Sequence, residues 1–321
     1  MKRIGVLTSG GDAPGMNPCI RAVVRTSLYH DLEVLGIRRG FDGLLRGDIL
    51  SLSARDVGGI LERGGTFLKT ARCPEMEEMA GQERAMRELR MRGIDGLVVI
   101  GGDGSMRGAH ALAQMGASVV GVPASIDNDV YGTVMSLGVD TAMNTIMEAV
   151  DKLRDTASSH QRAFLVETMG RECGYLALMA GVICGAEVVL IPEGEIALEE
   201  IGEAVVDAYG RGKAHVIIVA AEGARLKADE VAQYLDNYQV GFKTRVTRLG
   251  HVQRGGSPSA FDRMLATRMG VHAAELLLQG KGDVMVGLQG DKMISVPFEE
   301  VISGVKRANI EYFKMARMLA R

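Results

Sequence analysis

The sequence predicts an α/β fold of mainly parallel sheets flanked by helices. Short continuous apolar runs end in glycine, segments with apolar residues three and four apart lie between them, and 321 residues are enough for two cores. Runs of that kind suit strands buried on both faces. Their alternation with helices makes each connection a right-handed crossover between parallel strands.

RIGVLTS, residues 3–9, reads as a buried strand stopped by Gly10 and Gly11, with a helix over 16–29 after it. LEVLGI at 32–37 is a second strand. A strand at 97–100 precedes a helix that opens at 106–115, and ASVVGVP at 117–123 is strand again. Residues 141–158 carry the apolar spacing of a long amphipathic helix. Strands follow at 163–169, 187–192 and 215–223, with helices at 174–184 and 197–212 between them and a last helix at 258–280. No Pro-, Gly- or Ser-rich linker marks a boundary, so two lobes would be joined by several short crossings. No solenoid period is visible.

An apolar content of 47% and a charged content of 24% describe a folded chain rather than a disordered one. A net charge of −3 argues against nucleic acid as a partner. Cys19, Cys73, Cys173 and Cys184 form no C-x-x-C pair, which speaks against a zinc site or a disulfide framework and fits the reducing cytoplasm. The N-terminal apolar run is too short for a signal peptide, and none reaches the roughly 18 residues of a membrane span.

Four glycine-rich turns carry the chemistry. TSGGDAPGMN, 8–17, joins a strand to a helix, and its free N–H groups suit phosphate, although a plain strand–helix turn has the same pattern. It is neither a P-loop nor a dinucleotide fingerprint. VVIGGDGS, 98–105, repeats the arrangement with Asp103 in the turn, as a helix cap or as a carboxylate beside a triphosphate and its Mg²⁺. PASIDNDV, 123–130, sets Asp127 and Asp129 two apart. Two acids that close repel unless a cation or a hydrogen-bond donor sits with them. At neighbouring strand ends they would converge with Asp103 on one crevice. In LGHVQRGGSPSAFDR, 249–263, His251 and Arg254 suit a phosphate ester, or pack and face solvent.

With LTSGGDAPGMN, GGTFLKTARCPE, VIGGDGS, IDND, RDTASSH, MGR, AEG and GHVQRGGSPSAFDR in that order, the chain resembles the bacterial ATP-dependent 6-phosphofructokinase family from Met1 to beyond Lys281. The resemblance implies two Rossmann-like lobes with the active site in the cleft between them. Residues 1–138 and 251–303 would form the larger, ATP-binding lobe, and 139–250 and 304–321 the smaller, fructose-6-phosphate-binding lobe. It implies a glycolytic kinase with ATP as co-substrate and Mg²⁺ as cofactor. Gly11, Arg72, Cys73, Gly102, Gly104 and Ser105 would meet the nucleotide, and Asp103 and Asp129 the metal. Asp127 would be the base, with Ser125, Arg171 and Gly11 supporting the transferring phosphoryl group. Met169, Gly170, Glu222, His251 and Arg254 would hold the sugar phosphate. Arg162 and Arg245 would reach the sugar of a neighbouring subunit in a homotetramer. Arg21, Arg25, Arg154, Gly185, Glu187, Arg211 and Lys213 resemble an effector site for ADP and phosphoenolpyruvate.

The chain departs from the family at Ala124 and Ser125, where the family usually has Gly-Thr, and at Lys69 and Arg55, where an aromatic is common. Pyrophosphate-using relatives carry Lys at 124 and Asp at 104, so Ala124 and Gly104 favour ATP as donor. A pyrophosphate-dependent enzyme and a catalytically silent phosphosugar-binding subunit are the alternatives. The silent subunit would be expected to lack Asp103 or Asp127.

Overall fold

The computed structural model describes residues 1–160, 162–238 and 241–320. In chain order the elements are β1 (Arg3–Ser9), α1 (Met16–Tyr29), β2 (Glu33–Ile37), α2 (Gly40–Arg46), β3 (Ile49–Leu52), α3 (Met79–Met91), β4 (Gly96–Gly101), α4 (Asp103–Gln114), β5 (Val119–Pro123), α5 (Val139–His160), β6 (Arg162–Thr168), α6 (Tyr175–Ile183), β7 (Val188–Leu190), α7 (Leu198–Gly210), β8 (Val216–Ala221), α8 (Ala228–Tyr238), β9 (Lys243–Arg248), α9 (Ala260–Leu278), β10 (Val284–Gln289), β11 (Lys292–Pro297), α10 (Phe298–Ser303) and α11 (Ile310–Leu319). They form two compact units, Met1–Thr141 with Arg254–Val305, and Ala142–Gln253 with Lys306–Arg321.

The first unit is built on a seven-stranded sheet of order β11-β10-β5-β4-β1-β2-β3. Its five inner strands run parallel, and β3 and β11 close the edges antiparallel. Alternate residues of a strand face opposite sides. Leu7, Leu97 and Val99 therefore join Phe41, Leu44, Met86, Met106 and Leu112 in one core under α2, α3 and α4. Val6, Val98 and Ile100, fully buried, face the other way, where α1 and α9 pack together against the sheet. Burial on both faces is why these strands read as continuous apolar runs.

The second unit has a four-stranded, all-parallel sheet of order β7-β8-β6-β9. Leu165, Leu190, Ile218 and Ala220 pack against Ile201 and Val205 of α7 and Val231 and Leu235 of α8. Among the described residues no helix is long and apolar enough to cross a membrane.

The elements differ from the sequence expectation at particular places. The helix expected at 106 begins at Asp103, because extended Gly102 ends the strand and the acid then favours the first helical turn. The strand expected over 187–192 pairs only at Val188–Leu190. The 141–158 helix runs Val139–His160. Strand β9 was not expected: it alternates Thr244 and Val246 with Lys243 and Arg245, so an edge strand reads as a polar segment. The β10–β11 hairpin was also not expected, although Gly290 with φ 61° followed by Asp291 is a two-residue hairpin turn.

Asp262 joins the first unit's segments. It lies fully buried in the first turn of α9, capped by Ser259. Its carboxylate accepts from the N–H of Gly138 at 3.0 Å, the N–H of Thr141 at 2.8 Å and the Thr141 hydroxyl at 2.6 Å. Burial pushes its pKa up, and these donors act against that shift. Removing the carboxylate strands two backbone donors, at about 1–3 kcal/mol each. Asp262→Ala should therefore lower the thermal midpoint by roughly 5–10 °C; a midpoint within a degree of the parent, read by calorimetry, would show that the carboxylate carries no such weight.

Candidate active site

The carboxyl ends of adjacent parallel strands β1 and β4 open onto one cavity of about 800 Å³ in the first unit. In the first turn Gly10 has φ 83°, a conformation that needs glycine. Thr70 Oγ1 donates to the Gly10 carbonyl at 2.7 Å, and Thr8 Oγ1 donates to the Lys69 carbonyl at 2.9 Å. These bonds lash residues 66–70 to the end of β1 and bring Arg72 and Cys73 to the cavity wall. Lys69 takes a left-handed φ of 60° and does not line the cavity. Burial raises the Cys73 thiol pKa, so this sulfur stays protonated at neutral pH.

In the second turn a Cβ on Gly101 would stand 2.4 Å from Ser105 Oγ and 2.5 Å from the Ser9 carbonyl, so the close approach of β1, β4 and α4 requires glycine there. Gly104 is different. It is helical, and a Cβ would meet nothing within 4 Å. Neither backbone nor packing asks for glycine at 104, which leaves space in the cavity as its consequence. Gly11 also lines the cavity, where the Arg254 guanidinium lies against it: a Cβ there would be 1.8 Å from Nη1.

The third turn is pinned from inside. Ala124 N–H donates to the Gly101 carbonyl at 2.8 Å, joining the segment to the end of β4. Asn128 is fully buried with φ 54°, a conformation asparagine tolerates better than most residues. Its side-chain amide donates to the Val134 carbonyl at 3.1 Å and accepts from the Ser136 N–H at 3.1 Å. Asp127 and Asp129 on either side both line the cavity. Ser125 Oγ donates to Asp129 Oδ1 at 2.7 Å, which holds the serine rotamer without the methyl of threonine.

Gly11, Arg72, Cys73, Gly102, Asp103, Gly104, Ser105, Ser125, Asp127, Asp129 and Arg254 thus line one wall system. Asp103 and Asp129 supply carboxylate oxygens, suited to a hard divalent cation. Among the described residues no group of three or more His, Cys, Asp or Glu surrounds a point. Such a donor set fits Mg²⁺, which keeps several waters and takes phosphate oxygens alongside one or two carboxylates.

In the second unit the carboxyl ends of β8, β6 and β9 lie side by side. Glu222 N–H donates to the Thr168 carbonyl at 2.8 Å, and Leu249 N–H to the Glu167 carbonyl at 3.0 Å. Buried Gln253 accepts from the Met169 N–H at 3.2 Å and donates to the Gly250 carbonyl at 2.9 Å, tying the 3₁₀ turn Gly250–Arg254 to the end of β6. Arg171 Nε donates to Glu222 Oε1 at 3.2 Å. Met169, Gly170, Arg171, Glu222 and His251 therefore follow three neighbouring strand ends. Arg162 does not: it opens β6, about 20 Å of extended chain from that end. Arg245 pairs in register with Phe164, also away from it.

Of the effector candidates, Arg21 and Arg25 share a face of α1 in the first unit, and Arg25 donates to the Ala54 carbonyl at 3.5 Å. The others lie in the second unit. Lys213 pairs with half-buried Glu187 at 2.7 Å, which also accepts from the Ile217 N–H at 2.7 Å. Arg154 donates to the carbonyl of Cys184, beside Gly185 with φ 61°, and Arg211 pairs with Asp207 at 3.0 Å. Sequence reasoning missed Asn128, Gln253 and Arg107, a further cavity residue. An amide between two acids and a cation one helical turn after Asp103 were the available signals.

A phosphofructokinase family model matches residues 3–277. Over the full length of both chains, the protein is 53% identical to one from Thermotoga neapolitana and 50% identical to one from Bacillus cytotoxicus, each named ATP-dependent 6-phosphofructokinase. A solved phosphofructokinase from Saccharomyces cerevisiae superposes with a TM-score of 0.89 at 39% identity, over 94% of this chain and 45% of that one. A pyrophosphate-dependent phosphofructokinase from Marinobacter aquaeolei gives 0.88 at 24% identity, covering 97% and 86%, and so shares the fold. Sequence identity over whole chains and superposition over nearly all of this one agree with the order of glycine turns and acids: the chain belongs to the phosphofructokinase family.

Proposed function

We propose that this chain transfers the γ-phosphoryl group of ATP to the 1-hydroxyl of fructose 6-phosphate, giving fructose 1,6-bisphosphate and ADP. The observation that carries the reading is the cavity itself, where two glycine turns meet Asp103 from one segment and Asp127 and Asp129 from another. Relatives about half identical bear the ATP-dependent name.

Phosphoryl transfer needs alignment and charge neutralisation more than covalent help. The N–H groups at the start of α4, with Gly104 and Ser105, suit the phosphate chain. Asp103 and Asp129 would hold Mg²⁺, which when bound neutralises phosphate charge. Asp127 takes the proton of the sugar 1-hydroxyl as its oxygen bonds to the γ-phosphorus and the bond to the bridging oxygen of ADP breaks. Gly11, Ser125 and Arg171 support the transferring group. Met169, Gly170, Glu222, His251 and Arg254 hold fructose 6-phosphate. Arg162 and Arg245 act on the site of a neighbouring subunit in a homotetramer; light scattering that returns the mass of a single chain under assay conditions would remove this part. The first unit is the nucleotide-binding lobe, the second the sugar-binding lobe, and the enzyme works in the cytoplasm.

Asp127→Asn should lower kcat by about 10²–10⁴-fold while MgATP still binds; parent-like turnover would refute the base assignment. Donor choice rests on Gly104 and Ala124. A coupled assay should show turnover with ATP and none with pyrophosphate, and Gly104→Asp, which the open space at 104 admits without refolding, should raise the KM for ATP at least about tenfold by placing a carboxylate beside the phosphates. Equal use of both donors by the parent would overturn the choice.

Regulation is proposed at Arg21, Arg25, Arg154, Gly185, Glu187, Arg211 and Lys213. Arg55 stands where the family often stacks an aromatic on a nucleotide base, so phosphoenolpyruvate should inhibit and ADP should activate weakly. Kinetics with each effector check this, and potent ADP activation without a phosphoenolpyruvate effect would count against it.

A further inference from the structure

Arg107 is unassigned by everything above, yet it lines the same cavity as Asp103. One turn along α4 from that acid, its Nε donates to Asp103 Oδ2 at 2.8 Å. Elsewhere an (i, i+4) pair with both side chains this exposed is a solvated surface contact of little weight. Here both partners face the ligand space.

Two features of the cavity give the pair a role. The first is charge: its lining holds five carboxylates, from Asp12, Glu77, Asp103, Asp127 and Asp129, against three guanidinium groups, from Arg72, Arg107 and Arg254. A polyphosphate entering this lining meets net negative charge, so each arginine matters. The second is position. Residues 103, 104, 107, 108 and 111 of α4 form one face and all line the cavity. That face spans about 12 Å along the helix axis. Its amino end carries the N–H groups suited to phosphate, and the small side chains of Gly108 and Ala111 lie beyond. Arg107 stands between, bonded to Asp103 and lining the space proposed for a phosphate chain.

We propose that Arg107 is a nucleotide-contacting residue that exchanges partners. With no ligand its guanidinium neutralises the Asp103 carboxylate. When Asp103 turns to a divalent cation, the guanidinium is released and donates to the phosphate oxygens of the incoming nucleotide. The inference deepens the reading of Asp103 as a metal ligand and rests on it. It makes nucleotide affinity depend on the metal twice, through the cation itself and through the arginine that the cation sets free. No bond is made or broken covalently, and the step adds no reactant to the proposed reaction.

The test measures binding of ATP by isothermal titration calorimetry, with Mg²⁺ and in EDTA, to the parent, Arg107→Gln and Asp103→Asn proteins, without sugar and so without turnover. Exchange predicts that Arg107→Gln weakens MgATP binding about tenfold or more, the scale of a hydrogen bond to a charged group, and weakens binding in EDTA by a clearly smaller factor, set by the Asp103 charge left unneutralised. Arg107→Lys, which keeps the charge and loses the planar fork, should fall between. An equal loss with and without Mg²⁺, or a larger loss in EDTA, would make Arg107 a fixed neutraliser of Asp103 and overturn the exchange. No loss in either condition would make it a surface pair and overturn it as well. If parent affinity were indifferent to Mg²⁺, or Asp103→Asn bound MgATP like the parent, the metal assignment would fail, and the exchange with it. Thermal midpoints within about two degrees of the parent establish that the substituted proteins are folded.

Discussion

Two carboxylates two residues apart can face one ligand only if the chain between them is held by something other than the ligand. In this protein that constraint falls on Asn128. Its left-handed backbone reverses the chain, and its buried amide satisfies the Val134 carbonyl and the Ser136 N–H from within the loop. A leucine of similar size would lose both of those bonds and would resist the backbone angle. The loop is then rigid on its inner side, and Asp127 and Asp129 line the cavity on the other. The electrostatic cost of placing them there is met by Ser125 on Asp129, and in the proposed reaction by the cation and the sugar hydroxyl.

The rest of the first unit serves that placement. Backbone bonds stitch Ala124 to Gly101, the glycine at 101 lets β1, β4 and α4 close up, and Thr70 holds Gly10. Beyond Leu137 the chain enters α5 through the buried Asp262 carboxylate, which receives Gly138 and Thr141 and joins them to α9. Asp262 is costly to bury, and it is kept because three donors converge on it. In the second unit Gln253 has the equivalent part, an uncharged buried side chain that fixes the turn carrying His251 to the end of β6. Asn128, Asp262 and Gln253, all fully buried, thus hold from inside the segments that carry proposed ligand contacts.

Much of this was legible in the chain. Strands β4, β5 and β8 announce themselves because both their faces are buried and every residue is apolar, and β1 and β6 because their central residues are an unbroken buried apolar run. The glycine turns are legible because each stops such a strand, and the ordered motifs name the family before any coordinate is seen. The edge strands β9 and β11 were not legible. Half of each faces solvent or carries charge, and only pairing with a neighbour makes them strands. Arg107 is a weaker case: in sequence its one signal is a place one helical turn after Asp103, and the cavity shows what it faces.

The sequence by itself determined the alternation of strand and helix, the glycine turns and the residue types available for phosphoryl transfer, because these depend on local sterics and on the short-range period of apolar residues. Only the tertiary structure decided which turns share a cavity, that Gly104 is demanded by no neighbour, and that the buried Asp262 carboxylate is met by Gly138 and Thr141. Those outcomes depend on distances between segments far apart in the chain, and no local pattern encodes them.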